Sequence, residues 1–372
     1  MTDIDLEQKI KERVFIAAEI GKNFIRTEDV RPVSEYLGVA KALVSAARAA
    51  GADAVKFQIH DAGDEILPIS FDSPHFKGQD RRAWVKRNAD ATPADEFWIP
   101  LKAHCDEIGV VFFATPMSRG AAMTLERVGV PFWKVASSDI LDFVMLDFMA
   151  STGKMIMVPT GMSTVQDIDR AVAFLKKKGA RFLLMHAISR YPYPAEDSRL
   201  ATIGFLAHRY PGVAVGFSQN SPWVEPAVVA VALGACAVEQ HFTFDRKDWG
   251  PDHKVSMIPD EFTQMAKRIR AVERDPEIRR ALLADPATAR YMGDEEKILQ
   301  EGEAAFRPIF RKSLAAGRDI AAGDVLAPGD IFAMRPQAVG GMPSEEYERV
   351  LGKTAACPLK KYDLISEDCL AG

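Results

Sequence analysis

The stretch Val213–Lys254 reads VAVGFSQNSPWVEPAVVAVALGACAVEQHFTFDRKDWGPDHK. It holds two short apolar runs, Val213–Phe217 and Ala235–Val238, with a small-residue helical pattern over Glu225–Leu233 between them. Each run ends in polar residues: Ser218, Gln219 and Asn220 after the first, Glu239, Gln240 and His241 after the second. Continuous rather than alternating apolar runs belong to strands buried on both faces, as in parallel sheets covered by helices. This strand–helix–strand unit collects its chemistry at the strand C-termini, where a closed parallel barrel builds its active site.

The texture recurs upstream. Phe15–Ile20, Ala54–Ile59, Val110–Ala114, Phe132–Ala136, Met155–Val158 and Phe182–His186 bring the apolar runs to eight. Between them, Tyr36–Ala50, Met117–Val128, Ile140–Ser151, Val165–Lys178 and Asp197–His208 space their apolar residues closer to 3.6 than to 2, and Asp260–Val272 closes the series. Eight such units over about 250 residues predict an α/β fold, a (β/α)8 TIM barrel. The competing doubly wound sheet would usually carry a Gly-rich phosphate turn after its first strand, and Glu19-Ile-Gly-Lys is not one. The irregular stretch His60–Pro93 follows the second strand and is expected to hang over the mouth as a binding loop or lid. Beyond the barrel, the spacing predicts a linker over 281–305 and a small β-rich domain over 306–372, where short β runs and tight turns replace the helical periods. The barrel domain is expected over 1–280.

Composition bounds the function. The chain has 372 residues, 48% hydrophobic and 27% charged, with a net charge of -5. That charge gives no basic footing for nucleic acid. No apolar run approaches the ~18 residues of a membrane span, and the charged start MTDIDLEQKIKER has no signal-peptide core. The four scattered cysteines form no CxxC pair, so a reduced, cytoplasmic location is expected.

In a barrel, the polar residues at strand ends face the mouth: Glu19, Lys56 with Gln58, Thr115, Ser137 with Asp139, Thr160, Ser189 with Tyr191, Ser218 to Asn220, and Glu239 with His241. Asp252 and Lys254 follow in the last loop. Hydroxyls and lysine suit an anionic oxygen, and carboxylates and histidine suit a metal or proton transfer. Lys56, Lys134, Glu19 and Glu239 interrupt apolar strands, where an unpaired charge is costly, so they read as functional. His186 reads as a satisfied core histidine. Thr115 and Ser137 also suit helix caps, and Gly250-Pro-Asp-His-Lys also suits a plain turn.

These segments resemble the sialic acid synthase family, whose members condense phosphoenolpyruvate with N-acetylmannosamine or related sugars to make nonulosonic acids. The matching segments are Ala18-Glu-Ile-Gly, Ala50-Gly-Ala-Asp-Ala-Val-Lys-Phe-Gln, Ala114-Thr-Pro-Met-Ser-Arg, Lys134-Val-Ala-Ser, Thr160-Gly-Met-Ser-Thr, Tyr191-Pro-Tyr-Pro, Glu239-Gln-His-Phe-Thr and Gly250-Pro-Asp-His-Lys. Arg335-Pro and Leu351-Gly-Lys-Thr-Ala resemble the family's antifreeze-like (SAF) domain. The resemblance implies phosphoenolpyruvate contacts from Lys56, Thr115, Ser137 and Ser189. It implies catalytic, proton-handling roles for Glu19, Tyr191, Glu239 and Asp252, and sugar contacts from Gln58, Asp139 and Arg335. It further implies a divalent metal (Mn or Mg) on His241, and a domain-swapped homodimer in which Arg335 reaches the other subunit's barrel. Its partners would be small-molecule substrates, neither nucleic acid nor membrane.

The chain departs from the family pattern within the site. Gln219-Asn220-Ser221 stands where Asp-His-Thr is usual, so Asn220 replaces the second metal-binding histidine. Asp139 replaces a glutamate, Pro159 a phosphate-binding serine, Ser189 an asparagine found in some members, and Asn23-Phe-Ile-Arg an Asn-His-Asn-Gly. Arg190 is the expected compensating cation. Three readings follow: a synthase with altered metal use, a metal-independent condensing enzyme acting on a different aldose, and a non-catalytic sugar-binding relative.

Overall fold

A computed structural model describes residues 5–73 and 76–371. The expectations for residues 1–4, 74–75 and 372 lie outside the described residues. Eight parallel strands form one sheet: β1 (Phe15–Gly21), β2 (Ala54–Ile59), β3 (Val111–Pro116), β4 (Trp133–Lys134), β5 (Ile156–Pro159), β6 (Phe182–Ala187), β7 (Val215–Gln219) and β8 (Ala237–His241). Their hydrogen-bonded order is β3-β2-β1-β8-β7-β6-β5-β4, and β3 and β4 meet across the remaining gap to close a TIM barrel.

Strand periodicity explains both the core and the site. Side chains alternate between barrel interior and exterior. Phe15, Ala17, Ala54, Phe113, Phe132, Met157, Leu183, Met185 and Ala237 fill the interior near the strand starts, under the plug of Leu6 from the first helix, Leu6–Glu12. One step further along the same inward-facing rows, the residues become Glu19, Lys56, Thr115, Lys134 and Glu239. The barrel is therefore apolar below and ionic above. The exterior rows pack under helices such as Val33–Ala49, which buries Tyr36, Ala40, Leu43, Val44 and Ala47 at helical spacing.

The long segment after β2 is more ordered than its composition suggests. It contains a short antiparallel pair, Asp72–Ser73 with Phe76–Asp80, and a helix, Arg81–Asp90, started by the Asp80 carboxylate accepting from the Arg82 amide. Beyond the barrel, the chain continues through helix Pro276–Ala284 and the short helix Glu301–Ala304 rather than a bare tether. The C-terminal domain is built on antiparallel β9 (Ser313–Ala316) and β10 (Ile331–Met334), with Leu314, Ile320, Leu326 and Ile331 buried beneath them. Among the described residues, no helix is long and apolar enough to cross a membrane.

This small domain is bolted to the mouth of its own chain's barrel. Lys312, 1% exposed, donates to Asp142 at 2.7 Å and to the Met117 carbonyl at 2.6 Å, and lies 3.5 Å from Asp139. Asp142 also caps helix Phe143–Ser151 through the Met145 amide. Arg335 lies beside the segment after β2 as an added strand residue: its amide donates to the Glu65 carbonyl and its carbonyl accepts from the Leu67 amide, both at 3.0 Å. The post-barrel segment folds back along the barrel, with Leu200 and Ala201 amides on the Tyr291 and Met292 carbonyls, and Arg335 meets the barrel mouth of its own chain. Lys312→Met should cost about 3–5 kcal/mol in chemical denaturation, because it leaves the buried Asp142 carboxylate without a cation; a loss below ~1 kcal/mol, the level of an exposed pair, would show that this docking is peripheral.

Candidate active site

The mouth of the barrel encloses a cavity of about 1110 Å³, counting its open side. Its floor is a lattice of four buried charges. Lys56 Nζ lies 2.8 Å from Glu19 Oε2 and 3.6 Å from Glu239 Oε1, and donates to Thr115 Oγ1 at 3.0 Å. Lys134 Nζ lies 3.6 Å from Glu239 Oε2. Strand register sets this pattern: Glu19 pairs with Lys56 on one side and His241 on the other, and Glu239 pairs with Ser218. Ser218 donates to Glu239 at 3.1 Å, and Gln58 donates to Glu19 at 2.8 Å. Gly21 sits in left-handed backbone where a Cβ would lie 3.0 Å from Glu19 Oε1 and 3.3 Å from Asp252 Oδ2. The absence of a side chain there lets the two carboxylates approach the same point.

The environment separates the two glutamates. Burial, reinforced by Glu239, raises Glu19 above the ordinary carboxylate range against the pull of Lys56. Burial would also raise Glu239, but Lys134, Lys56 and His241 outweigh it and hold it low. Two carboxylates with unlike proton affinities are the usual arrangement for one proton carrier and one fixed anion. Burial alone would lower Lys56, yet Glu19 and Glu239 keep it above its ordinary value. Lys134 is pulled down to about 8 by burial, which Glu239 only partly offsets. Burial likewise raises Asp252 and lowers His241, and it raises the Tyr191 phenol, which stays protonated.

Most of the sequence-predicted residues converge. Glu19, Lys56, Gln58, Thr115, Ser137, Tyr191, Ser218, Asn220, Glu239, His241, Asp252, Lys254 and Arg335 line the cavity. Asp139 stands behind Arg335, which donates to both of its carboxylate oxygens at 2.8 and 2.9 Å. Ser189 lies under the floor rather than on it, its hydroxyl buried beside that of Ser137. Thr160 donates to the Met185 carbonyl, a structural bond. His186 is buried in the core as its strand position suggests, with Nε2 on the Ser198 carbonyl at 2.8 Å and Nδ1 without a hydrogen-bond partner among the described residues. Arg190 does not compensate for the changed site: it turns outward to Asp197 at 2.8 Å and Gln300 at 2.9 Å. Lys134 stood out as a charge in an apolar strand without a role, and it faces the cavity. Arg81 was missed. The helix after the long loop brings it to the cavity against Trp84 and Phe310, with ring centroids 4.5 and 5.3 Å away. Only its sequence position in an expected lid pointed to it.

The donor set at the metal position fits a divalent ion poorly. Asn220 Nδ2 donates to the Ile188 carbonyl at 2.7 Å, which turns Oδ1 toward His241 Nε2 at 3.2 Å. The imidazole proton then sits on Nε2, so the two candidate donor atoms are spent on each other. A neutral amide is also a weaker first-row ligand than imidazole. Among the described residues, no group of three His, Cys, Asp or Glu side chains is placed to hold a metal.

The fold and site define a TIM barrel with buried lysine–carboxylate pairs at its mouth, closed by a small β domain. The comparisons narrow it. Residues 43–276 match the NeuB family and residues 311–371 match the SAF domain, and the chain belongs to the NeuB family. It is 32% identical to an uncharacterized protein of Methanocaldococcus jannaschii, over 97% of this chain and 96% of that one. It is 30% identical to the N-acetylneuraminate-9-phosphate synthase of Drosophila melanogaster, over 97% and 95%. The solved spore coat polysaccharide biosynthesis protein of Bacillus subtilis superposes with a TM-score of 0.76 at 27% identity, over 97% and 96%.

Manganese titration followed by electron paramagnetic resonance checks the donor set. Wild type should leave Mn²⁺ free at micromolar protein, and Asn220→His, which restores two imidazoles, should sequester it. Tight stoichiometric binding by wild type would contradict this reading of the Asn220–His241 pair.

Proposed function

We propose that this chain condenses phosphoenolpyruvate with an N-acylated mannosamine-type sugar to give a nonulosonic acid and phosphate. The observation that carries the proposal is the floor of lysines, hydroxyls and unlike carboxylates, Lys56, Lys134, Thr115, Glu19 and Glu239, in a NeuB-family barrel. Relatives named for N-acetylneuraminate-9-phosphate and N,N'-diacetyllegionaminic acid synthesis support the same chemistry here. A cytoplasmic location suits the four free cysteines.

Lys56, Lys134, Thr115 and Ser137 hold the phosphoenolpyruvate anion, with Ser189 beneath them, so that binding energy orients C3 toward the aldehyde. The enol π electrons form the C3–carbon bond to the sugar, and the aldehyde oxygen takes the proton that Glu19 carries. Tyr191, kept protonated by burial, is the hydrogen-bond donor at that end, because the His241 Nε2 proton is held by Asn220. The positive charge that develops at C2 faces the ionised Glu239. Water adds to C2 and passes a proton back to Glu19, whose proton affinity burial raises above the ordinary carboxylate range. Loss of the new hydroxyl's proton, with cleavage of the C2–oxygen bond, leaves the ketone and free phosphate. Arg335, Asp139, Gln58, Arg81 and Asp252 ring the space left for the sugar. No step depends on a bound ion, in keeping with the donor set at Asn220 and His241. A homodimer belongs to the same proposal.

Phosphate release from phosphoenolpyruvate should occur with a panel of acylated mannosamine-type sugars and survive chelation. Lys56→Ala should reduce kcat/KM by at least about 100-fold, the size of a lost charge in a preorganised site. Absence of release with every sugar would overturn the condensing reading. The pH profile is a second check. Because kcat/KM reports the free enzyme, it should fall as pH rises through about 8, where Lys134 loses its proton and its charge. A profile flat to pH 9.5 would remove Lys134 from the anion site.

A further inference from the structure

The segment between barrel and SAF domain contains one fully buried carboxylate, Glu303, at 0% exposure. Its Oε1 accepts two backbone hydrogen bonds, from the Met162 amide at 3.0 Å and from the Ser189 amide at 2.8 Å. These amides belong to the loops that leave β5 and β6. Its other oxygen accepts from the Gln300 amide at 3.2 Å and lies 3.8 Å from Lys297 Nζ, which holds the carboxylate in place. Arg311, also post-barrel, grips the same peptide segment from the other side: Nη2 donates to the Met162 carbonyl at 2.9 Å and to Ser163 Oγ at 3.2 Å.

The clamped segment is strained and sits against the anion pocket. Met162 has φ +51°, a left-handed conformation that a non-glycine residue keeps only when its surroundings enforce it. Beside it, a Cβ on Gly161 would lie 2.3 Å from Ser189 Oγ and 2.7 Å from Ser137 Oγ, so the two hydroxyls converge on this turn. Ser189 Oγ is buried under the cavity floor with no hydrogen-bond partner among the described residues, while Ser137 lines the cavity above it.

We infer that Glu303 is a positioning residue for the substrate anion: by holding the Met162 and Ser189 amides it fixes the left-handed turn and the hydroxyl cluster that receive phosphoenolpyruvate. The inference rests on the reading of this pocket as the phosphoenolpyruvate site. It makes the post-barrel segment part of the pocket, which the barrel alone would leave unformed.

Calorimetric titration of phosphoenolpyruvate into the full chain tests it, with Glu303→Ala, Glu303→Asp and Glu303→Gln. In Ala, and in Asp, one methylene too short to reach both amides, affinity should fall by about tenfold or more while the sugar KM moves less than about twofold. Gln keeps an acceptor oxygen for both amides and should restore affinity to within about threefold of wild type. If Ala does not fold, Asp decides. Unchanged affinity in a folded Ala or Asp variant, or an equal loss in Gln, overturns the inference while the pocket assignment stands. A wild-type chain that binds no phosphoenolpyruvate overturns the pocket assignment and the inference with it.

Discussion

Four charges buried in the throat of the barrel set the terms for the rest of the molecule. Taking Glu19, Lys56, Lys134 and Glu239 out of water costs several kcal/mol each, repaid only if every one finds an opposite charge or a hydrogen bond in good geometry. Register places Glu19 beside Lys56 and Glu239 beside Ser218, while Lys56 and Lys134 reach Glu239 across the barrel interior. The apolar interior below and the helices outside hold the register. The lattice is therefore a stability liability that fold and function must both respect, and its unequal carboxylates are what make it chemically useful.

The same logic extends upward into the small domain. Arg335 and Lys312 are as buried as the floor and are satisfied by Asp139 and Asp142. Docking the SAF domain thus completes a second ionic layer over the first. A separate post-barrel carboxylate, Glu303, reaches the loops beneath. Barrel and cap line one cavity, and the connecting segment braces it, so elements far apart in sequence meet there.

How much of this was legible in the sequence follows from where each residue gets its partners. The eight strands were visible because their apolar runs are continuous, and their observed bounds lie within about two residues of the expected ones, the usual uncertainty at element ends. Glu19, Lys56 and Glu239 were visible because a charge in such a run signals a buried pair. Arg81 and Glu303 were not, since nothing local marks them: one is carried in by a helix inside an apparent loop, the other by a four-residue helix inside an apparent linker. Arg190 misled for the same reason, as its adjacency to Tyr191 said nothing of Asp197 and Gln300, which draw it away. Asn220 stood out as a departure from the family pattern, but only geometry reveals its amide committed to Ile188 and His241.

The central claim is that this floor drives carbon–carbon bond formation with cleavage at the enol carbon. Phosphoenolpyruvate labelled with oxygen-18 at the bridging position, turned over with an acylated mannosamine-type sugar in the presence of chelator, tests it most directly. The account predicts sugar-dependent release of phosphate that carries the label, because the C2–oxygen bond breaks. Unlabelled phosphate, or release that does not depend on the sugar, would contradict it.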